Sequence, residues 1–387
     1  MGVHDMRGVG RWVAVVSVLG VAGSALAEVP RFMAEQHVQA GGVDIVVTGY
    51  SVPSYADWNG DGRGDLIVGE GGTVGPAKVR VYLNEGTATE PVFTNYFYAQ
   101  TVEGDLSCMA SGCLGVFPRL VDWGGGVSNL LAGQSDGRVR LFVNVGSVEE
   151  PVFDLGTLLV VGEDELAVPI DVGSRATPTV VDWDDDGVRD LVVGALDGKV
   201  HLFINTGTDD TPEFIEHLVV AGAVGDLVVP SARSSPEVVD LDGDGKKDLL
   251  TGNTNGQVLF YSNVGDDADP VFGGYEAVEA AGVPIDLAGT PRSRPFVCYW
   301  NAGALPDMLV GAGDGLVRLY LGRGSVGDMN CDGAVDYADI DRFVQALLGA
   351  AQWPYSTCAW LNADCNGDGQ VNYADIDAFV AVLSAGA

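Results

Sequence analysis

The chain has 387 residues, 47% of them apolar, and a formal net charge of −34 that arises from 54 acidic against 20 basic residues. This composition excludes a disordered polymer, and the acidic balance makes nucleic acid and anionic lipid surfaces poor partners while it favours divalent cations. Six cysteines suit an oxidising compartment, although their number does not fix their pairing.

The first residues have the pattern of a signal peptide. Arg7 and Arg11 precede an apolar stretch from Trp12 to about Ala22, and Ala25-Leu26-Ala27 has the small-x-small form of a cleavage site. We therefore predict a signal peptide over 1–27. No later run approaches about twenty uninterrupted apolar residues, so we expect no membrane span and a protein that is secreted, either extracellular or at a cell surface.

The next part of the chain repeats five times with a period of about sixty residues, and such a period decides the architecture. Each unit opens on a Pro-x-Phe tripeptide, continues through a loop marked by Trp or Leu, and reaches an apolar pentad that ends in Gly. The five units open at Pro30, Pro91, Pro151, Pro212 and Pro270.

The third unit shows the strands most clearly. Thr179–Trp183 is mostly β-branched and apolar, Asp190–Gly194 and Val200–Ile204 are further strand patterns, and the next Pro-x-Phe begins a fourth. Five such four-stranded sheets, packed radially, predict a mainly β, five-bladed propeller. The N-terminal strand, Pro30-Arg31-Phe32, is expected to complete the last sheet and close the ring, because that sheet lacks its own fourth strand.

Four tryptophans recur at one position of the repeat. We interpret them as packing between sheets rather than as a ring that stacks on a ligand, because a radial core needs a repeated aromatic at a strand end. These residues are Trp58, Trp123, Trp183 and Trp300.

Three of the five loops carry alternating acids whose oxygens are suitable calcium ligands. Positions one, three, five and nine supply side chains, and position seven supplies a carbonyl. The predicted ligands are Asp57, Asn59, Asp61, Arg63 and Asp65 in loop 1 (57–65), Asp182, Asp184, Asp186, Val188 and Asp190 in loop 3 (182–190), and Asp240, Asp242, Asp244, Lys246 and Asp248 in loop 4 (240–248).

The other two loops lack these acids. In loop 2 (122–129) glycines follow Asp122, and loop 5 (299–307) begins Tyr-Trp-Asn-Ala-Gly. We expect both to be empty, which favours a structural rather than a catalytic role for the metal.

The repeat units resemble FG-GAP or VCBS repeats, the calcium-loop blades of integrin-α-type propellers, over residues 28–325. That resemblance implies a β-propeller, an extracellular location, and a role in adhesion or ligand binding. The chain has five units where the integrins have seven, so the integrin ligand site does not transfer to this chain.

Residues 326–387 form a second, duplicated region with two twelve-residue calcium-loop patterns, each followed by an apolar helix pattern. Position twelve is Asp in both. The predicted ligands are Asp328, Asn330, Asp332, Ala334, Asp336 and Asp339 in the first loop, and Asp364, Asn366, Asp368, Gln370, Asn372 and Asp375 in the second. About five Ca²⁺ sites follow, three in the propeller and two in this region.

This pair of loop-helix units resembles a type I dockerin, whose family role is to bind a cohesin module of a scaffold or cell surface. Both copies place Tyr-Ala, at Tyr337-Ala338 and Tyr373-Ala374, where many dockerins have a Ser/Thr recognition pair. The resemblance implies a cohesin-like or cell-surface scaffold partner.

The cysteines leave alternatives open. The long connection at 100–118 is predicted to form a binding rim on the propeller. Cys108 and Cys113 lie in this loop, where a disulfide between them would hold it. Cys298 is interpreted as a buried free thiol, or as the partner of the odd cysteine left among those of the C-terminal region. That region contains Cys331, Cys358 and Cys365.

We favour a secreted, calcium-stabilised, non-catalytic binding or adhesion protein. Its propeller would present a surface to a glycan or an extracellular protein, and its tail would supply assembly. The alternative is a polysaccharide-acting enzyme or an accessory protein of such enzymes, which would need two carboxylates outside the calcium loops. No catalytic motif is found, and the available residues are Asp105, Asp164, Asp171, Asp226 and Asp286.

Overall fold

The structure is a computed structural model. It describes residues 29–72, 76–108, 114–123, 126–287, 289, 291–303, 305–324, 326–331, 334–355, 358, 360–366 and 370–385. The predicted signal peptide therefore lies outside the described residues, as do Cys113, Asp332 and Asp368.

Most of the described chain forms antiparallel four-stranded units that follow the repeat. Sheet 1 contains Ser51–Ala56, Asp65–Gly72, Ala77–Tyr82 and Phe97–Tyr98, together with Ser107–Cys108 and Leu114–Gly115. Sheets 2 and 3 contain Phe117–Val121, Asn129–Gly133, Val139–Phe142 and Thr157–Leu158, and then Thr177–Val181, Asp190–Gly194, Val200–Phe203 and Leu218–Val219. Sheets 4 and 5 contain Pro236–Val239, Asp248–Gly252, Val258–Asn263 and Phe272–Ala277, and then Arg294–Cys298, Asp307–Gly311, Val317–Tyr320 and Gln36–His37.

The first strands of sheets 1 to 5 contact one another in a closed cycle around a central axis, which gives the propeller arrangement. The N-terminal segment closes this cycle as predicted. Gln36–His37 pairs with Val317–Tyr320 as the fourth strand of sheet 5, so the closing strand lies a few residues after the predicted Pro30-Arg31-Phe32.

The predicted number of propeller blades, five, is corrected to six, because the described residues contain six sheets of three or more strands. The additional sheet joins Arg31–Phe32, Glu279–Ala280 and Val283–Pro284. It lies at the junction between sheets 4 and 5, where Phe32 pairs in parallel with Ala280. Arg31–Phe32 was predicted to lie in the last sheet and instead forms part of this sheet, which was not predicted.

The same parallel pairing recurs around the ring. The Phe of each Pro-x-Phe pairs with a short hairpin segment of the preceding unit, and the bridged pairs are Ala40 with Phe93, Thr101 with Phe153, Val161 with Phe214, and Gly222 with Phe272. The hairpins among them are Gln39–Ala40 with Val43–Asp44, Gln100–Thr101 with Gly104–Asp105, and Val160–Val161 with Val168–Pro169. A main role of the repeated Phe is therefore to join neighbouring units.

The tryptophan prediction is confirmed. All four side chains are buried, with at most 8% of their surface exposed, and each contacts the Phe of a Pro-x-Phe from another unit. The ring centroids of these pairs lie 5.6 to 6.1 Å apart, and the pairs are Trp58 with Phe153, Trp123 with Phe214, Trp183 with Phe272, and Trp300 with Phe93.

The Gly that ends each apolar pentad is required by close packing between sheets. A Cβ at Gly133 would lie 2.1 Å from the carbonyl oxygen of Ala176, and one at Gly252 would lie 2.1 Å from that of Ser293. These distances are well inside van der Waals contact, so only Gly lets the second strand of one sheet approach the chain entering the next.

The C-terminal region contains two helices, Ile340–Ala346 and Ile376–Ala385, each preceded by a short 3₁₀ turn. Phe343 and Phe379 stack between them with centroids 3.9 Å apart and form the centre of a small core. Further 3₁₀ turns are Asp164–Leu166, Ala350–Gln352 and Trp360–Ala363. No helix in the described part of the chain combines the length and apolarity that a membrane crossing needs.

Candidate metal centres

The residue at position nine of each propeller loop holds the loop to the sheet. In loop 3, Asp190 Oδ2 accepts from the Trp183 backbone N–H at 2.8 Å, and Oδ1 accepts from that of Asn205 at 2.7 Å. Asp65 and Asp248 accept the equivalent pairs of bonds in loops 1 and 4. Each carboxylate is buried because it begins the second strand of its sheet.

The residue that begins the second strand does the same in the loops that lack the acid pattern, at position nine of loop 5 and at position eight of the shorter loop 2. Asp307 of loop 5 accepts from the backbone N–H groups of Gly322 at 2.8 Å and Asn301 at 3.4 Å. Asn129 of loop 2 accepts from the Asn144 N–H at 2.9 Å. This side chain is therefore part of the fold in every unit, whether or not the loop has further acids.

Burial raises the pKa of these position-nine carboxylates, and the backbone N–H bonds offset only part of that rise. The pKa values reach about 6 for Asp65 and Asp190, about 7 for Asp248 and about 6 for Asp307. Loops 1, 3 and 4 also hold further acids nearby, which raise the pKa by charge repulsion.

Loops 3 and 4 each bring three carboxylates together. Oxygens of Asp182, Asp184 and Asp190 lie within 4.8 Å of one another, and those of Asp240, Asp242 and Asp248 do the same. These are positions one, three and nine of the predicted pattern.

Several of these oxygens lack any donor. Asp182 Oδ1, Asp184 Oδ1 and Asp242 Oδ2 are buried without a hydrogen-bond partner. Buried carboxylate oxygens without donors are costly, and a cation among them would compensate both this cost and the mutual repulsion. The donor set consists of oxygen atoms, which suits Ca²⁺.

Position five has a different role in these two loops. Asp186 Oδ1 accepts from the Val188 N–H at 2.7 Å, and Asp244 Oδ1 accepts from the Lys246 N–H at 2.9 Å. Both side chains thus stabilise the turn, and neither belongs to the three-carboxylate groups.

Loop 1 has a different charge arrangement. Arg63 donates to Asp61 Oδ2 from Nη2 at 2.5 Å and from Nε at 3.1 Å, and these bonds lower the Asp61 pKa. Asp57 accepts from the backbone of Asp61 and Gly62, while Asn59 Oδ1 accepts from Asp61 N–H. Among the described residues, groups of three clustered carboxylates occur in loops 3 and 4 and not in loop 1.

The C-terminal loops are organised by their position-twelve aspartates. Asp339 is fully buried and accepts from the backbone N–H groups of Met329, Asn330 and Asp336 at 2.7 to 2.9 Å. Asp375 accepts from those of Asn366 and Asn372 at 3.1 and 2.9 Å.

Position nine caps the following helical turn in both copies. Asp336 accepts from the Ala338 N–H at 2.7 Å and Asn372 from the Ala374 N–H at 2.8 Å, which completes a capping box in each copy. The other predicted ligands that the structure describes lie in the same two loops, and these are Asp328, Asn330, Ala334, Asp364, Asn366 and Gln370.

One disulfide connects the two halves of the C-terminal region, between Cys331 and Cys358, with their Cα atoms 5.6 Å apart. Cys298 is a buried free thiol, which resolves the alternatives left by the sequence, and Cys365 is also free. Cys108 is a buried free thiol whose pKa is raised by burial to about 11, and Cys113, its possible partner across the predicted rim, lies outside the described residues.

The acids that an enzyme would need are dispersed. Asp105 pairs with Lys78 and Asp226 with Lys199, each at 2.7 Å. Asp164 lines a cavity of about 500 Å³. Asp171 accepts from the Gly173 N–H at 2.8 Å, and Asp286 forms a backbone bridge with Gln257.

Comparison with protein families found two matches. Residues 182–251 match the FG-GAP-like repeat, and residues 326–380 match the type I dockerin domain. The first match begins at loop 3 and includes loop 4, the two loops with clustered carboxylates. Comparison with curated proteins found no match.

Comparison with solved structures found remote similarities. A GH43_1 enzyme from Xanthomonas citri is 13% identical, with 73% of this chain and 90% of that chain covered and a TM-score of 0.43. CoXyl43, a GH43 β-xylosidase/α-arabinofuranosidase from a compost microbial metagenome, is 11% identical, with 75% and 95% covered and a TM-score of 0.42. The chain spans 15% of the Photorhabdus luminescens Tc holotoxin pore, at 13% identity, with 76% of this chain covered and a TM-score of 0.36.

These structural similarities are too remote to indicate an activity or a substrate. The family matches agree with the geometry of propeller loops 3 and 4 and with that of the C-terminal region. Dockerin domains bind calcium and are typical of extracellular or cell-surface proteins. The chain therefore carries an FG-GAP-like repeat within a propeller arrangement, followed by a type I dockerin domain at its C-terminus.

Proposed function

We propose that this is a secreted, calcium-stabilised binding protein whose dockerin domain attaches it to a cohesin-bearing scaffold and whose propeller recognises a ligand. The observation that carries the proposal is the type I dockerin match over 326–380 on two paired loop-helix units. The domain division at about residue 325 and the five calcium sites belong to the same proposal.

The two expected recognition faces of the tail are accessible. Tyr337 and Tyr373 are 74% and 75% exposed, although each follows a buried, hydrogen-bonded loop. Each precedes the alanine whose N–H is capped by position nine, so the two tyrosines occupy equivalent places in the duplicated unit. Large exposed aromatic side chains at equivalent positions are suitable anchors for a protein partner.

Calcium is proposed to act by fixing loop geometry. In loops 3 and 4 it would be held by the clustered carboxylates at positions one, three and nine, and it would offset the repulsion among them. In the tail, Asp339 and Asp375 fix the loop backbone through the backbone N–H groups from which they accept. A tenfold excess of calcium over Kd stabilises a protein by about 1.4 kcal/mol for each site.

Binding to an immobilised type I cohesin module tests the attachment role. We expect calcium-dependent binding by the native chain, loss of binding in EDTA, and at least tenfold weaker binding when Ala338→Arg and Ala374→Arg are combined. Val224→Arg is the matched control, since Val224 is 94% exposed on the propeller and should leave cohesin binding unchanged. Equal binding by the native chain and the double variant would contradict the proposed attachment surface.

A panel of polysaccharides separates binding from hydrolysis. The observation that keeps an enzyme as the second candidate is the cavity of about 500 Å³ that Asp164 shares with Glu163 and Glu213. We expect no reducing ends to be released with calcium present. Hydrolysis that is lost in Glu213→Gln, with the thermal midpoint unchanged, would replace the binding assignment with the enzymatic one.

A further inference from the structure

The central axis of the propeller contains an unusual concentration of positive charge. Three arginines stand three residues before a Pro that is the first or second residue of the first strand of their sheets: Arg175 before Pro178, Arg233 before Pro236, and Arg292 before Pro295. All three have left-handed backbone, with φ of 61°, 61° and 80°. The repeat therefore places three guanidinium groups at one end of the axis, in a protein with only 20 basic residues against 54 acidic ones.

These three side chains and Arg294 line one small cavity, together with Thr177 and Ser235. The described residues that line it include no Asp or Glu. Its volume of about 20 Å³ has room for about one water-sized group.

Two of these arginines have guanidinium nitrogens without a hydrogen-bond acceptor among the described residues, although Arg292 also lies over the Tyr50 ring. Nη1 of Arg233 and both Nε and Nη1 of Arg292 are buried without a hydrogen-bond acceptor. Arg294 is only 5% exposed and hydrogen-bonds weakly to backbone carbonyls of Ser51 and Arg292, at 3.5 and 3.3 Å. Burial, and then the nearby charges of Arg292 and Arg175, lower the Arg294 pKa to about 9.

A buried ion pair joins two of the strands that surround the axis. Arg119 extends across the axis from sheet 2 and forms a buried ion pair with Glu237 of sheet 4, with Nη2 and Oε1 2.5 Å apart. Its guanidinium also lies over the Phe296 ring of sheet 5. Glu237, two residues after Ser235 of the cavity lining, is therefore paired with Arg119 rather than with an arginine of the lining.

We propose that this cavity, defined here as the arginine pocket, binds the carboxylate group of a small acidic ligand. Guanidinium groups bind planar oxyanions through paired N–H donors, and the acceptors that Arg233 and Arg292 lack are those a carboxylate provides. The small volume admits one oxygen of such a group rather than a whole sugar ring, so the rest of the ligand would lie outside the cavity. The inference extends the proposed binding role of the propeller by naming a ligand class.

The site is separate from the candidate metal centres. Arg175 precedes the first strand of sheet 3, Thr177–Val181, whereas Asp182 of loop 3 follows that strand directly. A strand of this length spans roughly 17 Å, so the arginine pocket and loop 3 lie at opposite ends of the propeller. Arginine variants are thus expected to leave the calcium loops intact.

Calorimetric titration of the calcium-loaded full chain with glucuronate, and with glucose as its neutral counterpart, tests the proposal. We expect saturable glucuronate binding by the native chain, no glucose binding, and at least tenfold weaker glucuronate binding by Arg233→Gln and Arg292→Gln. Arg138→Gln is the matched control, because Arg138 is 44% exposed and lies outside the described lining of the pocket. Equal glucuronate affinity in all four proteins, or none in the native chain, would overturn the proposal.

Thermal melting distinguishes a ligand site from a structural role. Without an anion, the melting midpoint of Arg233→Gln should lie above that of the native chain, because the substitution removes a buried charge. Saturating glucuronate should reverse that order. A lower midpoint for Arg233→Gln both with and without glucuronate would contradict the site. Displacement of glucuronate by sulfate at equal concentration would overturn the carboxylate assignment, while cohesin binding by the same proteins reports separately on the attachment role.

Discussion

Loops 3 and 5 of the propeller each have a buried aspartate at position nine, but loop 5 lacks the other acids of loop 3. Asp190 and Asp307 begin equivalent strands, and each accepts one backbone N–H from its own loop and one from the residue fifteen positions further along the chain. Loop 3 adds Asp182 and Asp184, with buried oxygens that lack donors, whereas loop 5 has Tyr299 and Asn301 at those positions. The comparison separates two roles: position nine builds the fold, and positions one and three build the cation site.

The largest expected change in the free energy of unfolding comes from removing the position-nine carboxylate of loop 5, Asp307. Asp307→Ala leaves the backbone N–H groups of Asn301 and Gly322 without their acceptor, and a buried unsatisfied group costs about 1–3 kcal/mol. We expect the free energy of unfolding, measured by urea denaturation, to fall by about 2–5 kcal/mol. The fall should be equal with calcium and with EDTA, and a fall confined to calcium-containing buffer would place a metal in loop 5.

The pH dependence of Asp307→Asn tests the burial of the same carboxylate. The folded pKa is about 6, above the unfolded value near 3.9, so the folded state binds more protons and this group's contribution to stability is lost as pH rises through that interval. Relative to the native chain, Asp307→Asn should therefore gain about 1–3 kcal/mol between pH 4 and pH 7. Denaturant titrations at several pH values measure this difference, and parallel stability curves would contradict the raised pKa.

Loop 3 should respond in the opposite way to calcium. Asp184→Asn removes a clustered oxygen but no backbone bond, so in EDTA its stability should match or slightly exceed that of the native chain. With calcium at tenfold excess over Kd, it should lose about 1.4 kcal/mol relative to native. Asp185→Asn is the matched control, because the neighbouring Asp185 side chain is 46% exposed and pairs with Lys247 instead.

The smallest expected effect is a change in the calcium affinity of loop 1. Arg63 neutralises Asp61 in this loop, so Arg63→Gln should release that carboxylate for a cation. We expect calcium affinity at loop 1 to rise about two- to fivefold, equivalent to about 0.5–1 kcal/mol. Calorimetry on a chain that also carries Asp184→Asn and Asp242→Asn would isolate this site, and an unchanged affinity would show that the ion pair does not compete with the metal.

Features set by local pattern could be predicted from the sequence. The alternating acids predicted the loops, the apolar pentads predicted the second strands, and the recurrence of Trp58 and its equivalents predicted contacts between sheets. The resemblance of 326–387 to a dockerin agreed with the later family match. In each case a short segment determines the structure, so the residues themselves carry the signal.

Features set by contacts between distant segments could not be predicted in the same way. The sixth sheet depends on Arg31–Phe32 meeting Glu279–Ala280, and the Cys331–Cys358 bond was one of several possible pairings. Part of the difference between loop 1 and loop 3 is visible in the sequence, because position three is Asn59 in one and Asp184 in the other, but the pairing of Arg63 with Asp61 is not. The arginine pocket did have a sequence signal, namely Arg three residues before Pro in three units, but its meaning required the closed ring.

The central claim is that clustered carboxylates of loops 3 and 4 bind calcium and thereby stabilise the propeller. Calorimetric calcium titration of the chelator-treated native chain, beside a chain carrying Asp184→Asn and Asp242→Asn, tests it most directly. The account predicts that the double variant takes up two fewer calcium ions than the native chain, and that its propeller melting transition no longer shifts with calcium. Equal calcium uptake by the two proteins, or a native propeller transition that EDTA leaves unchanged, would contradict the account.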